Sequence, residues 1–284
     1  AFHNSGERRD PPKCFPNTRV AIIKKLKDWI LGLDPMTRSA LIKWLHGPAG
    51  SGKSAIAQTL ADWALEEGIL LASYFFSRFD STRNHPRSLI ATIAYQAGSH
   101  WAEVKKSVLE VIDAEPLIFT LSLMTQIRSL IVGPLHSLIT SGYFEDPKSK
   151  RLIIIDGLDE CIDRDRQIDI IRTISKALQD HHLPLIFLIA SRPEHDITFS
   201  FGSGYLAEVT SRFPLDDTYK SSLDIELFLR SQFNEIKENH PFKMQLPNPD
   251  RVAWSSNAGK TRYQFVGSIH LRSHRYKVRE FYST

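Results

Sequence analysis

The segment Gly47-Pro48-Ala49-Gly50-Ser51-Gly52-Lys53-Ser54 matches the pattern G-x-x-x-x-G-K-[ST] at every fixed position. Its glycines allow backbone conformations that a side chain would forbid, so that successive N–H groups can surround phosphate oxygens. A helix that begins near Lys53 adds its positive end. In this pattern the Lys53 ammonium reaches the β- and γ-phosphates, and the Ser54 hydroxyl binds Mg²⁺. The eight residues therefore predict a loop that binds a nucleoside triphosphate.

The sequence on either side of this loop supplies the context that the pattern requires. An apolar run at 40–45 predicts a strand before the loop, and 53–67 has the spacing of a helix. Further strands are predicted at 69–76, 151–155, 185–190 and 205–215, and further helices at 18–33, 165–179 and 221–238. The stretch 86–142 is mostly helical in pattern, with breaks near Pro116 and Pro134. Alternating strands and helices predict an α/β fold, a parallel sheet with helices on both faces.

A second motif follows the apolar strand Arg151-Leu-Ile-Ile-Ile-Asp156. Ligands of open parallel sheets bind at the carboxyl ends of the strands, so Asp156 is the predicted Mg²⁺ residue, directly or through a water. Asp159 and Glu160 come next, and either carboxylate could polarise the attacking water as a general base; we favour Glu160. The alternative is that these acids belong to a solvated loop.

The next predicted strand ends in Ser191-Arg192-Pro193-Glu194. An arginine at a strand end beside the phosphates can stabilise the charge of the γ-phosphate, and Arg192 is therefore a candidate catalytic residue. An ordinary surface arginine is the alternative.

Together these motifs resemble the NACHT family of STAND signalling NTPases, in a form common in fungal NLR-like proteins. The most characteristic stretches are Gly47–Ser54, Leu152-Ile-Ile-Ile-Asp-Gly-Leu-Asp-Glu160 and Phe187-Leu-Ile-Ala-Ser-Arg-Pro-Glu194. The resemblance implies a P-loop NTPase of the additional-strand type, with five parallel strands and one strand inserted between the phosphate-loop strand and the acidic strand. It implies that the protein binds ATP, or GTP, together with Mg²⁺. The bound nucleotide would act as an on/off switch in cytoplasmic innate-immune signalling.

The resemblance also assigns roles to individual residues and partners. It places Thr18 and Arg19 near the base and sugar, and it makes Arg192 the sensor of the γ-phosphate; a helix cap and a surface charge are the alternatives for the first two. Family members carry an N-terminal effector domain and C-terminal sensor repeats, through which protein partners act, and some assemble into rings. The sequence contains none of these regions and no initiator Met, which indicates a fragment or a truncated member.

Composition narrows the function classes. With 42% hydrophobic and 24% charged residues the chain is of globular type, and no apolar stretch is long enough to span a bilayer. Its two cysteines favour a reducing, cytoplasmic setting. Residues 1–250 carry 29 Lys/Arg against 31 Asp/Glu, so no nucleic-acid partner is expected for the main body. The Asn-Lys-x-Asp motif by which small GTPases recognise guanine is absent from the sequence, and its absence modestly favours ATP over GTP.

The chain divides into four predicted parts: an extended lead-in at 1–17, the NTPase core at 18–215, the start of a helical subdomain at 216–245, and an atypical tail at 246–284. Residues 251–284 carry seven Lys/Arg and one Asp/Glu. The stretch 267–280, back-translated and read one base later, can give an apolar helical string that resembles the family. The tail is therefore either a shifted-frame product, or a nucleic-acid- or membrane-binding segment.

Three functions remain open at this point. The leading hypothesis is a regulatory switch that binds and slowly hydrolyses a triphosphate. The second is a nucleotide-binding scaffold or truncated remnant without productive turnover. A small-molecule kinase or nucleic-acid motor is less favoured, because of the extra acids after Asp156 and the acidic main body.

Overall fold

The computed structural model describes residues 1–8, 11–146, 148–216, 221–239, 254–257 and 260–263. A sheet of five parallel strands forms its centre. The strands are β1 (Ile42–His46), β2 (Leu70–Phe75), β3 (Leu152–Asp156), β4 (Ile186–Ser191) and β5 (Thr210–Pro214). Their order is β2-β3-β4-β1-β5, so β4 lies between β1 and β3. This confirms the predicted α/β fold with an additional strand between the phosphate-loop strand and the acidic strand.

Burial explains why these segments form strands. Every residue of β2, β3 and β4 is buried, as is all of β1 except His46, which is half-buried. Continuous apolar runs are typical of parallel strands covered on both faces, because neither face meets water. The edge strand β5 is less enclosed, and Phe213 is its one buried residue.

Helices cover both faces of the sheet. They are α1 (Val20–Ile30), α2 (Lys53–Glu66), α3 (Leu89–His100), α4 (Ala102–Ala114), α5 (Leu123–Ile127), α6 (Gly133–Thr140), α7 (Arg164–His181), α8 (His195–Phe201), α9 (Gly204–Val209) and α10 (Ser221–Asn239). One apolar cluster joins α1 and α2 to one face of the sheet, through side chains such as Leu26 and Leu60. A second cluster joins α3 to α9 to the opposite face.

The predicted helix break at Pro134 was wrong. The helical segment runs without interruption through α5, a π-helical turn at Arg128–Val132, and α6. Pro134 sits within the first turn of α6, directly after the π turn. A proline lacks an N–H and crowds the carbonyl four residues earlier, and a wider π turn accommodates both.

The predicted strand at 205–215 is also shorter in the structure. Its first half forms α9, and only Thr210–Pro214 pairs in the sheet. Leu206 of α9 is buried in the same cluster as α7 and α8, with Tyr205 and Val209 packed against it. Periodicity cannot separate a short buried helix from a strand, and tertiary packing decides here.

The first residues of the chain pack more closely than an extended lead-in would. The Ala1 carbonyl accepts from the Phe75 N–H at 2.9 Å, and the His3 N–H donates to Ser73 Oγ at 2.9 Å. These contacts cover part of the outer edge of β2, where the Phe75 N–H would otherwise have no strand partner. Further along, the Cys14 N–H donates to Thr59 Oγ1 of α2 at 3.0 Å.

After the sheet, the predicted helix at 221–238 is present as α10, with Ile225, Leu229 and Phe233 partly buried; the side chain of Ile236, predicted on the same face, lies outside the described residues. Within the basic tail, Trp254–Asn257 and Lys260–Tyr263 form an antiparallel pair, β6 and β7. The stretch 267–280, on which the shifted-frame hypothesis rests, also lies outside the described residues.

In the part of the chain that is described, no helix has the length and apolar character to cross a bilayer.

Candidate functional site

The loop between β1 and α2 has the backbone of a phosphate-binding turn. Gly50 and Gly52 adopt positive φ angles of 78° and 90°, which strain a residue with a side chain. Gly47 is required for a different reason. A Cβ at Gly47 would lie 2.9 Å from Ser51 Oγ and 3.0 Å from Leu215 Cβ. The three glycines thus allow a tight loop, seated against the exit of β5, that opens directly into α2.

Lys53 is the first residue of α2 and folds over this loop. Its ammonium donates to the carbonyl oxygens of Gly47 and Pro48 at 2.8 and 2.9 Å. Burial lowers the pKa of Lys53, while the nearby carboxylates of Asp159 and Asp156 raise it. The cation therefore lies between the phosphate loop and the acids at the carboxyl end of β3 and just after it.

Asp156 is the last residue of β3, and its carboxyl group is buried beside Ser54. Burial raises the pKa of Asp156 to about 6, and the neighbouring Ser54 hydroxyl opposes this shift. Within the described ranges, Asp156 Oδ1 is buried and has no hydrogen-bond partner. A buried oxygen of this kind is costly unless something binds it. Carboxylate and hydroxyl oxygens are the ligands that Mg²⁺ prefers, so Asp156 and Ser54 fit that ion.

Asp159 and Glu160 lie in a 3₁₀ turn, Leu158–Glu160, and contact different neighbours. Consecutive side chains of a 3₁₀ helix point about 120° apart. Asp159, which is 4% exposed, accepts the Arg192 N–H on Oδ1 at 2.9 Å, and its Oδ2 forms an ion pair with Arg192 Nε at 3.2 Å. Glu160 instead accepts the Arg78 N–H on Oε2 at 3.1 Å. The two acids are therefore fixed by the ends of β4 and β2 respectively.

Arg192 follows directly after β4, at the same edge of the sheet as the phosphate loop. Its side chain is about half exposed and is held by Asp159. The charge of Arg192 is close enough to lower the pKa of Lys53. The structure thus brings Lys53, Asp156, Asp159, Glu160 and Arg192 to one edge of the sheet, and their roles in binding and catalysis stay predictions.

Thr18 and Arg19 differ in their surroundings. Thr18 is buried, and its hydroxyl donates to the Phe15 carbonyl at 2.6 Å within the lead-in. Arg19 contacts the phosphate loop itself, through Nη2 and the Ser51 carbonyl at 3.2 Å. Its backbone N–H donates to Asp224 of α10 at 3.0 Å. Arg19 therefore joins the phosphate loop to α10, whereas the predicted proximity of both residues to a base and sugar stays a prediction.

Sequence reasoning missed two residues that hold the site together. Arg78 follows the end of β2, and its side chain donates to the Asp159 carbonyl at 3.5 Å in addition to its backbone bond to Glu160. The signal that indicated Arg192, an arginine just past a buried strand, applies equally to Arg78. Asp224 offered no such signal, because it is one acid among several on an amphipathic helix.

Comparison with family models finds a match over the part of the chain that contains this site. The family model described as Nephrocystin 3, N-terminal, matches residues 24–192, which is more than half of the chain. The matched span runs from α1 to Arg192 and includes the phosphate loop and the acidic turn. No curated protein matches the chain. The chain belongs to the family of the nephrocystin 3 N-terminal region.

Proposed function

We propose that this chain binds a nucleoside triphosphate, ATP in preference to GTP, together with Mg²⁺, and hydrolyses it slowly as a conformational switch. The observation that carries the proposal is the pairing of two features at one sheet edge. Lys53 and Ser54 open α2 directly after the glycine loop, and Ser54 lies beside Asp156, whose Oδ1 is buried and has no hydrogen-bond partner among the described residues. Such a site suits the phosphates and the metal of a nucleotide.

Binding rests on the loop and on α2. The backbone N–H groups of residues 47–54 would donate to the phosphates, and the Lys53 ammonium would exchange its two carbonyl acceptors for β- and γ-phosphate oxygens. Ser54 and Asp156 would hold Mg²⁺, directly or through water. When bound, the ion neutralises phosphate charge as a Lewis acid.

Hydrolysis requires a base for the attacking water and a cation for the developing charge. Glu160 suits the first role, because it is only partly buried and its described partner is a single backbone N–H, that of Arg78. Arg192 suits the second role, since it follows the neighbouring strand end and lies within electrostatic reach of Lys53. A slow rate fits a switch, whose two states must each persist.

The switch that we propose is of the NACHT and STAND type, in a cytoplasmic NLR-like signalling protein. The motifs at Gly47–Ser54 and Leu152–Glu160 support this class, and the sheet order with an additional strand agrees with it. Effector and sensor regions beyond this chain would then be the protein partners, and activation would proceed by self-association.

Titration calorimetry of residues 1–284 with ATP and with GTP, each with and without Mg²⁺, tests the proposal, together with an assay of phosphate release. We expect micromolar or tighter binding of ATP that weakens when Mg²⁺ is withdrawn, and slow but measurable turnover. Mg²⁺-dependent binding without any turnover would favour the scaffold alternative. Absence of binding for both nucleotides would contradict the proposal.

A further inference from the structure

The two acids of the turn at Leu158–Glu160 differ in how their oxygens are occupied. Asp159 is 4% exposed, and both of its carboxylate oxygens contact Arg192: Oδ1 accepts from the backbone N–H, and Oδ2 forms an ion pair with Nε. Glu160 is more exposed and accepts one described hydrogen bond, from the Arg78 N–H. A general base must have an oxygen free to meet the attacking water, and this condition favours Glu160 over Asp159.

The bonds of Asp159 fix Arg192 at two points. A hydrogen bond holds the backbone N–H at the exit of β4, and an ion pair at 3.2 Å holds Nε of the guanidinium. Because Asp159 is buried, water and salt screen this ion pair less than a pair on the surface. A guanidinium has five N–H donors, so the terminal nitrogens of Arg192 can still bind an anion while Nε is held.

The anchor itself is rigid. Asp159 lies in the turn that leaves the fully buried strand β3, and its carbonyl accepts from Gln167 at 3.4 Å and from Arg78 at 3.5 Å. Gln167 is a buried residue of α7. Strand β3, helix α7 and Arg78, which follows β2, therefore fix the position from which Asp159 holds Arg192.

From this arrangement we propose that Asp159 is a positioning residue, which holds Arg192 so that the site distinguishes a triphosphate from a diphosphate. The inference rests on the proposed function and assigns its switching step to the Asp159–Arg192 pair. A γ-phosphate would bind the free end of a guanidinium that is already oriented, whereas a diphosphate would leave that end without an anion. Glu160 then remains for the proton of the attacking water.

The test is the ratio of affinities for a non-hydrolysable ATP analogue and for ADP, both with Mg²⁺. The proteins compared are the wild type, Asp159→Asn, Arg192→Ala and the double variant. We expect each single variant to reduce the preference for the triphosphate about 10-fold, since each removes the oriented charge-assisted contact. The double variant should lose no more than the larger single effect, because both changes break one unit.

Two comparisons separate this role from others. Glu160→Gln should lose turnover while keeping the preference for the triphosphate. Asp196→Asn, an exposed aspartate of α8 close to Arg192 in sequence, should change neither quantity. If Asp159→Asn does not fold, the half-exposed Arg192→Ala still reports whether the guanidinium recognises the triphosphate.

Two results would overturn the inference alone. One is an Asp159→Asn protein that keeps the preference and loses turnover, which would make Asp159 the base. The other is a pair of additive losses in the double variant. A wild-type protein that binds neither nucleotide would instead overturn the proposed function, and the inference with it.

Discussion

The phosphate loop and the acidic turn lie at the same edge of the sheet, but they are held in place by different means. The loop is shaped by its own backbone: Gly50 and Gly52 take positive φ angles, and Lys53 bonds carbonyls five and six residues earlier. The acidic turn is held from a distance, by Arg78 and Arg192, which are 82 and 33 residues away from the acids they bond.

This difference predicts which substitutions each of the two regions can tolerate. A loop shaped by local backbone geometry should fail when one of its own residues changes, whatever the rest of the chain does. A turn held by side chains from other strands should respond to changes in those partners as well. The predictions below use this contrast.

The largest effect is expected from substitution of Glu160, and it concerns the rate of hydrolysis and not the affinity for nucleotide. Glu160→Gln removes the proposed base but keeps an acceptor for the Arg78 N–H, so we expect hydrolysis to slow about 10²- to 10⁴-fold with nucleotide affinity preserved. Single-turnover phosphate release measures this. Unchanged turnover would move the base to Asp159.

Binding should depend most on Lys53. Lys53→Ala removes the cation of the loop, and we expect the affinity for Mg²⁺·ATP to fall about 100-fold or more, as two charge-assisted hydrogen bonds are lost. Calorimetry gives the value, and Lys24→Ala, an exposed lysine of α1 paired with Asp28, is the control. Micromolar affinity retained in Lys53→Ala would contradict the phosphate-loop assignment.

Gly47 tests whether the shape of the loop is set by backbone packing. The added methyl group of Gly47→Ala meets Leu215 Cβ at 3.0 Å and its carbonyl oxygen at 3.2 Å, so the loop or the β5 exit must move. We expect a loss of about 1–3 kcal/mol in the free energy of unfolding and a weaker nucleotide affinity. Gly6→Ala, whose added Cβ has no atom of the described residues within 4 Å apart from its chain neighbours, should be neutral in urea unfolding. Equal behaviour of the two variants would refute the packing argument.

Lys43 is a buried lysine that has no role in the proposed site. It is 3% exposed on β1, and burial lowers its pKa from 10.5 to about 8, although Asp34 opposes the shift. Between these pH values the unfolded chain binds more protons than the folded one, so stability should rise as pH increases from about 8 to 10.5. Lys43→Met should remove this rise.

The same substitution should raise the free energy of unfolding at pH 7 by about 1–2 kcal/mol, because a desolvated cation is replaced by an apolar chain. Urea unfolding of both proteins across pH 7–10.5 measures the difference. A variant that is less stable at pH 7 would show that the bond from Lys43 to Ser211 outweighs the cost of burial.

The smallest effect is expected where Arg19 links the phosphate loop to α10. Asp224→Ala removes the acceptor of the Arg19 N–H and the ion pair at 3.6 Å, while Arg19 keeps a strained φ of 55°. We expect a loss of about 1 kcal/mol in unfolding free energy. Glu226→Ala, which breaks a surface pair with Arg230, should cost less than half of that. If the two substitutions have the same effect, Asp224 contributes no more than a surface ion pair.

The sequence predicted the sheet and the phosphate loop because both depend on short-range patterns. Buried strands show as apolar runs, and the loop shows as fixed glycines before Lys53. The partners of Asp159 and Glu160 could not be predicted, since adjacent acids in a 3₁₀ turn diverge and meet strands that are distant in sequence. Pro134 and α9 were misread for a related reason: a π turn and tertiary packing overrode the local propensity.

The most direct test of nucleotide binding is to incubate purified residues 1–284 with equal amounts of ATP and GTP and with Mg²⁺, remove free nucleotide, denature the protein and identify what is released by chromatography. We predict close to one adenine nucleotide per chain from the wild type, as ATP or ADP, and almost none from Lys53→Ala. A wild-type chain that releases no nucleotide would contradict the assignment of this edge of the sheet as a nucleotide site.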